Sequence, residues 1–197
     1  MSGRTTLILL LLGLAAGGWL YWDLNRPETP DERYGPLLRD FPAEAVNRIE
    51  LQRSVAVGTV GATRRERLVF EKRGADWFLA EPVEGKAGKD QVHELLYRPV
   101  ERWSDSRVPA DPGKRAEYGL EDDAIRVTLA HPLGQAVFRI GRRIPVQQIQ
   151  YVWLEGSDLV AVLDMEFGAA YAQPMKAYLE RAPANETPAQ ATEPTAP

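Results

Sequence analysis

The sequence predicts an α+β domain, antiparallel strands with two covering helices, preceded by one transmembrane helix. Three observations predict it. Seven short stretches between residues 46 and 163 are strand-like, several alternating apolar with polar residues at a period of two. Two helix-period patterns, opened by Asp90 and by Asp164, each follow a group of strands, so the domain reads as a duplicated strand-strand-helix unit. The run TTLILLLLGLAAGGWLYW at residues 5–22 carries no charge.

That run, at ~1.5 Å per helical residue, reaches roughly 27 Å and is long enough for the hydrocarbon core of a bilayer. Arg4 and the amino terminus precede it, and Asp23 and Arg26 follow. The distribution favours a cytoplasmic N-terminus and an outward-facing domain. Trp19, Tyr21 and Trp22 cluster at the far end, where aromatic rings settle at headgroup level. The competing reading is a cleaved signal peptide, for which Gly13-Leu14-Ala15 offers small residues. Gly13 and Gly17 form a Gly-x-x-x-Gly pair and are the candidate helix-contact residues.

The chain divides into an anchor at residues 1–24, a Pro-rich linker at 25–42, an α+β domain at 43–181, and a disordered Pro/Ala/Thr tail at 182–197. Eight of the 15 prolines fall before residue 43 or after residue 181, which is why both flanks read as spacers. Within the domain, residues 46–51, 67–72 and 77–80 read as strands, the last two joined by the turn Gly74-Ala75-Asp76. Asp90 then caps a helix to Val100 with Val92, Leu95 and Leu96 on its apolar side, and Pro99 is expected to kink or close it. The second half repeats the pattern with strands at 125–130, 136–141, 151–154 and 159–163. Asp164 caps a last helix carrying Phe167, Tyr171, Met175, Tyr178 and Leu179.

Chemistry is mostly excluded. With no cysteine there is no disulfide, iron-sulfur cluster, zinc finger or thiol nucleophile. The two histidines, His93 and His131, have no partner in sequence for metal binding or acid–base catalysis, and no phosphate loop, nucleophile elbow or zinc-protease motif is present. No catalytic residue, metal ligand or cofactor is predicted, and a net charge of −4 gives no pull toward nucleic acid. The acidic run Glu121-Asp122-Asp123 lacks the spacing of a calcium loop and reads as a solvated turn. Arg64, Arg65 and Arg67 lie in an expected long loop between the first two strands and are the candidate contacts for a partner or anionic lipid.

The string Trp77-x-Leu79-x-x-Pro82, the helix opened by Asp90, Glu117-Tyr118-Gly119-Leu120, Phe138-x-Ile140-Gly141 and Tyr151-Val152 together resemble the bacterial domain-of-unknown-function family 4340. Two departures stand out: Glu121-Asp122-Asp123-Ala124 occupies the place where members show a proline, and many members are longer. The resemblance implies an envelope protein of the bacterial inner membrane, often associated with gliding-motility-type ABC transporters, and carries over no catalytic residue.

Three function classes follow. The leading expectation is a non-enzymatic, single-pass envelope protein, attached to the bilayer by its N-terminal helix. Its periplasmic or extracytoplasmic domain is an interaction or accessory subunit with a membrane or periplasmic protein partner, within an ABC-type transport or motility system. The alternative is a ligand-binding module in which Trp77, Trp103, Tyr118 and Trp153 line a groove for a glycan or lipid. The third is a hydrolase built on a carboxylate pair.

Overall fold

The structure, a computed structural model, describes residues 35–57 and 62–180, with residues 13, 16–19 and 21 of the N-terminal run. The chain separates into two units, Met1–Arg33 and Tyr34–Pro197. In the first, Gly13 and Gly17 are helical. Among the described residues no helix is long and apolar enough to cross a membrane, and the transmembrane helix expected at residues 5–22 is not found among them. Most of residues 1–24 lies outside the described residues, as do residues 25–34 of the linker and the tail beyond Glu180.

The second unit is organised by one sheet of nine antiparallel strands: β1 (Arg48–Val57), β2 (Ala62–Arg73), β3 (Asp76–Glu81), β4 (Gly85–Lys86), β5 (Ser106–Pro109), β6 (Ile125–His131), β7 (Gly134–Ile144), β8 (Ile149–Leu154) and β9 (Leu159–Asp164). Their order across the sheet is β4-β3-β2-β1-β6-β7-β8-β9-β5. Two meanders thus run outward from the central β1–β6 pair. Alternation sets the faces: Ile49, Leu51, Leu68, Phe70, Val127, Leu129, Phe138, Ile140, Val152, Ala161 and Leu163 all enter one core.

That core is covered by α1 (Lys89–Glu101), through Val92, Leu95 and Leu96, and by the C-terminal segment, through Phe167, Ala170, Tyr171 and Tyr178. The cover is exchanged between the meanders. After α1 the chain adds β5 to the far edge, against β9. The C-terminal segment returns to the first edge, where Leu179 bridges Ala87 and the Glu180 N–H donates to the Lys86 carbonyl.

The two covering helices predicted from sequence are therefore corrected to one. The segment after Asp164 forms only short 3-10 turns at Phe167–Ala169 and Met175–Tyr178. Asp164 does cap it, accepting from the N–H groups of Glu166 and Phe167, but Gly168 and Pro174 prevent a continuous helix. The strand-strand-helix repeat fails for the same reason, since only the first meander is followed by a helix of more than one turn. A second short helix, α2 (Arg115–Tyr118), precedes β6 and ends at Gly119, whose φ of 66° favours glycine.

α1 also departs from expectation. Its cap position is Gly88 rather than Asp90, and it runs through Pro99 to Glu101. The end of the segment read as linker belongs to the fold: Leu37 and Leu38 are buried and the Leu38 N–H donates to the Pro99 carbonyl.

Candidate functional site

Among the described residues, the opposite face of the sheet has no helix of comparable length across it. At its β8–β9 end a small apolar cluster forms from Tyr118, Leu120 and Val160, with Tyr151 and Trp153 packed on it. Over the centre the side chains are ionic. Arg67 on β2 makes a two-toothed pair with Glu50 on β1, at 2.8 and 2.9 Å, and reaches Glu81 on β3 at 2.6 Å. Gln52 also donates to Glu50, at 2.7 Å. Across the sheet's midline, Arg126 on β6 and Arg139 on β7 share the carboxylate of Glu155, just beyond β8, at 2.9–3.2 Å.

These contacts perturb both carboxylates. The hydrogen-bonded Arg67 guanidinium holds the Glu50 carboxyl at about 2, below its ordinary value of 4.5. The hydrogen bond from Arg126, aided by Arg139, holds Glu155 below the usual range as well. A carboxyl whose value is depressed in the folded state adds stability above its unfolded value, and that stability is lost as pH falls toward the folded one. The expected result is that Glu50→Gln lowers the thermal midpoint at pH 6, and that the difference from the unsubstituted protein shrinks between pH 4.5 and about 2.

The second feature is an arm. β1 and β2 stay paired from Arg48↔Glu71 to Val57↔Ala62, but β6 follows β1 only to Gln52 and β3 follows β2 only to Val69. The far part of the hairpin, residues 53–57 with 62–68, is therefore a two-stranded ribbon with no strand on either side among the described residues. Arg53 fixes its root: the side chain is buried, donates twice to Glu66 at 2.6 and 2.9 Å, and donates to the Tyr171 carbonyl at 2.8 Å. Beyond the root, Ser54, Ala56 and Val57 and all of residues 62–65 are exposed.

Between the arm and the Glu121–Ala124 loop lies a concavity of about 470 Å³, lined by Gln52, Ser54, Arg65, Arg67, Arg126 and Arg139 among others. The expected loop contacts Arg64, Arg65 and Arg67 are thus all on strand β2, a correction of the predicted long loop. They do not act together. Arg65 and Arg67 share the open face, Arg67 is already bound by two carboxylates, and Arg64 lies on the other face of the ribbon. Sequence reasoning missed Arg126 and Arg139, at polar positions of strands it did expect, and Glu155, just past the end of β8.

The aromatic groove does not assemble. Trp77 packs against the covered core, Trp103 is exposed beside Pro36, and Tyr118 and Trp153 belong to the open-face cluster. His93 stacks on Tyr97 along α1, and His131 packs edge-on against Phe41. Among the described residues no group of three or more His, Cys, Asp or Glu could hold a metal ion.

The geometry defines a one-sheet antiparallel domain, covered on one face, with an ionic open face and a projecting hairpin. Residues 77–195 match the family described as domain of unknown function DUF4340, and the chain belongs to that family. No curated protein and no solved structure matches the chain.

Proposed function

We propose that the chain is a non-enzymatic envelope protein whose outward-facing domain binds another protein, with the β1–β2 arm as the docking element. Association with an ABC-type transport or motility system, implied by the family resemblance, is part of this reading. The hydropathy of residues 5–22 supports attachment to a membrane.

The observation that carries the proposal is the arm's unprotected β1 edge. Exposed strand edges are usually shortened, covered or interrupted, because unpaired N–H and C=O groups recruit foreign strands. Both outer edges of this sheet follow that rule: β4 has two residues and is met by residues 179–180, and β5 has four and ends in Pro109. The arm does not, since Ser54-Val55-Ala56-Val57 carries neither charge nor proline and has β-branched residues at alternate positions. Adding a partner's strand to such an edge is an established mode of recognition.

The test is photo-crosslinking in the native membrane from a benzoylphenylalanine at Thr63 on the arm and at His93 on α1. A discrete adduct is expected from position 63 and none from 93. The companion variant replaces residues 56–63 by Asn-Gly, a two-residue hairpin loop that closes on the existing Val55↔Arg64 pair. Its stability should change by less than about 1 kcal/mol, because residues 56, 57, 62 and 63 at the removed strand ends are exposed, while co-purification of the crosslinked partner is lost. Equal adducts from both positions, or full retention of the partner by the shortened arm, would refute the proposal.

A further inference from the structure

The groove at the root of the arm is built with more guanidinium than its internal carboxylate can satisfy. Arg126 and Arg139 are direct cross-strand partners, an arrangement in which like charges repel. Both turn to the single carboxylate of Glu155. Each guanidinium has five N–H donors. Arg126 spends two on Glu155; Arg139 spends one there and one, at 3.4 Å, on the Glu121 carbonyl. Arg65, reaching over from the arm, makes one long contact of 3.5 Å with the Asp122 carbonyl. Of the other carboxylates around the groove, Glu50 has both oxygens engaged by Arg67 and Glu66 is held by Arg53.

We propose that this groove binds a carboxylate-bearing ligand, whose carboxylate joins Glu155 on Arg126 and Arg139 while Arg65 closes over it. Glu155 shows that the arginine pair accepts a carboxylate in fork geometry, and a second one balances the two guanidiniums. The volume of about 470 Å³ is in the range of small-ligand clefts. Glu121 and Asp122 also line the groove, with their side chains exposed at its rim, and they act against an incoming anion. The inference extends the partner-binding reading, because an acidic side chain of a strand docked on the arm is one source of such a carboxylate. A free small carboxylate is the other.

The experiment titrates the full chain, in uncharged maltoside detergent with arginine Nε labelled by ¹⁵N, against two probes: succinate and the blocked peptide acetyl-Thr-Glu-Thr-amide. Saturable Nε–H shifts are expected at Arg65, Arg126 and Arg139 and not at Arg48, with a dissociation constant near or below about 1 mM at low salt. Tighter binding of the peptide assigns the carboxylate to a partner segment, and tighter binding of succinate to a small molecule. Arg139→Gln should weaken binding at least about tenfold. Glu155→Gln, which removes the internal competitor, should tighten it about three- to tenfold, as should Glu121→Gln with Asp122→Asn. A merely structural role for Glu155 gives weaker binding in its variant. That outcome, or the absence of saturable shifts with either probe at about 50 mM, overturns the proposal, whatever the crosslinking at the arm shows.

Discussion

Replacing Glu66 by alanine is expected to destabilise the domain by about 3–5 kcal/mol, because it strands the buried Arg53 guanidinium without its counter-charge. The two residues are cross-strand partners at the root of the arm, on the face of the sheet that carries the core, and their side chains are 4% and 12% exposed. Arg53 donates to Glu66 through Nε and Nη2, gives Nη1 to the Tyr171 carbonyl, and lies 5.9 Å from the Tyr178 ring centroid. A guanidinium so enclosed meets little water to replace the lost oxygen.

The double variant Arg53→Met with Glu66→Leu removes both charges and is expected to recover most of the loss. It leaves the Tyr171 carbonyl without its donor, so a residue of about 1–3 kcal/mol should remain. Chemical denaturation of the single and double variants measures both numbers. A Glu66→Ala cost below about 1 kcal/mol would mean that water reaches the pair. The arm would then not be held at a fixed angle to the sheet.

How much of this could be read from sequence depends on the element. IRVTLA and AVFRIG alternate cleanly, and the turn at Pro132-Leu133 fixes their register. Counting back from that turn sets Arg126 opposite Arg139, so half of the groove floor was legible in principle. Glu155 was not, because it lies past the end of β8 and reaches the pair only through the register of a third strand. The arm was concealed by its composition. Val55 and Val57 have strand period, but Gly58, Gly61 and three closely spaced arginines resemble a solvated loop, and only pairing over the full hairpin makes residues 62–67 a strand. β4 and β5 have two and four residues, too few for a period, and exist because tertiary packing brings them to an edge.

The last segment shows the converse, a period that was present and misled. Phe167, Tyr171, Met175 and Tyr178 have helical spacing, yet Pro174 forbids the middle of that helix. The same apolar residues reach the core from 3-10 turns instead, with Tyr171, Tyr178 and Phe167 buried completely or almost so. Burial was readable; the backbone that delivers it was not.

Tyr171→Ala is the second large loss to expect, about 3–5 kcal/mol, for a reason that joins the two covering segments. The ring is fully buried, 5.7 Å from both Phe138 and Phe167, and burial pushes its phenol well above the ordinary value of 10.0. Its hydroxyl donates to the Leu95 carbonyl at 3.0 Å. In a regular helix that carbonyl accepts from the N–H four residues on, but the residue there is Pro99, which has none. Tyr171 therefore supplies the hydrogen bond that Pro99 withholds, which helps α1 to continue to Glu101 instead of closing at the proline. Tyr171→Phe keeps the packing and removes only the donor, and is expected to cost about 1–3 kcal/mol. Pro99→Ala in that background restores an N–H for Leu95 and should recover the loss, whereas Pro99→Ala alone gains much less, since Leu95 is already satisfied. Equal effects of Pro99→Ala in both backgrounds, measured by denaturation as a double-mutant cycle, would show that the tyrosine hydroxyl does not support the helix.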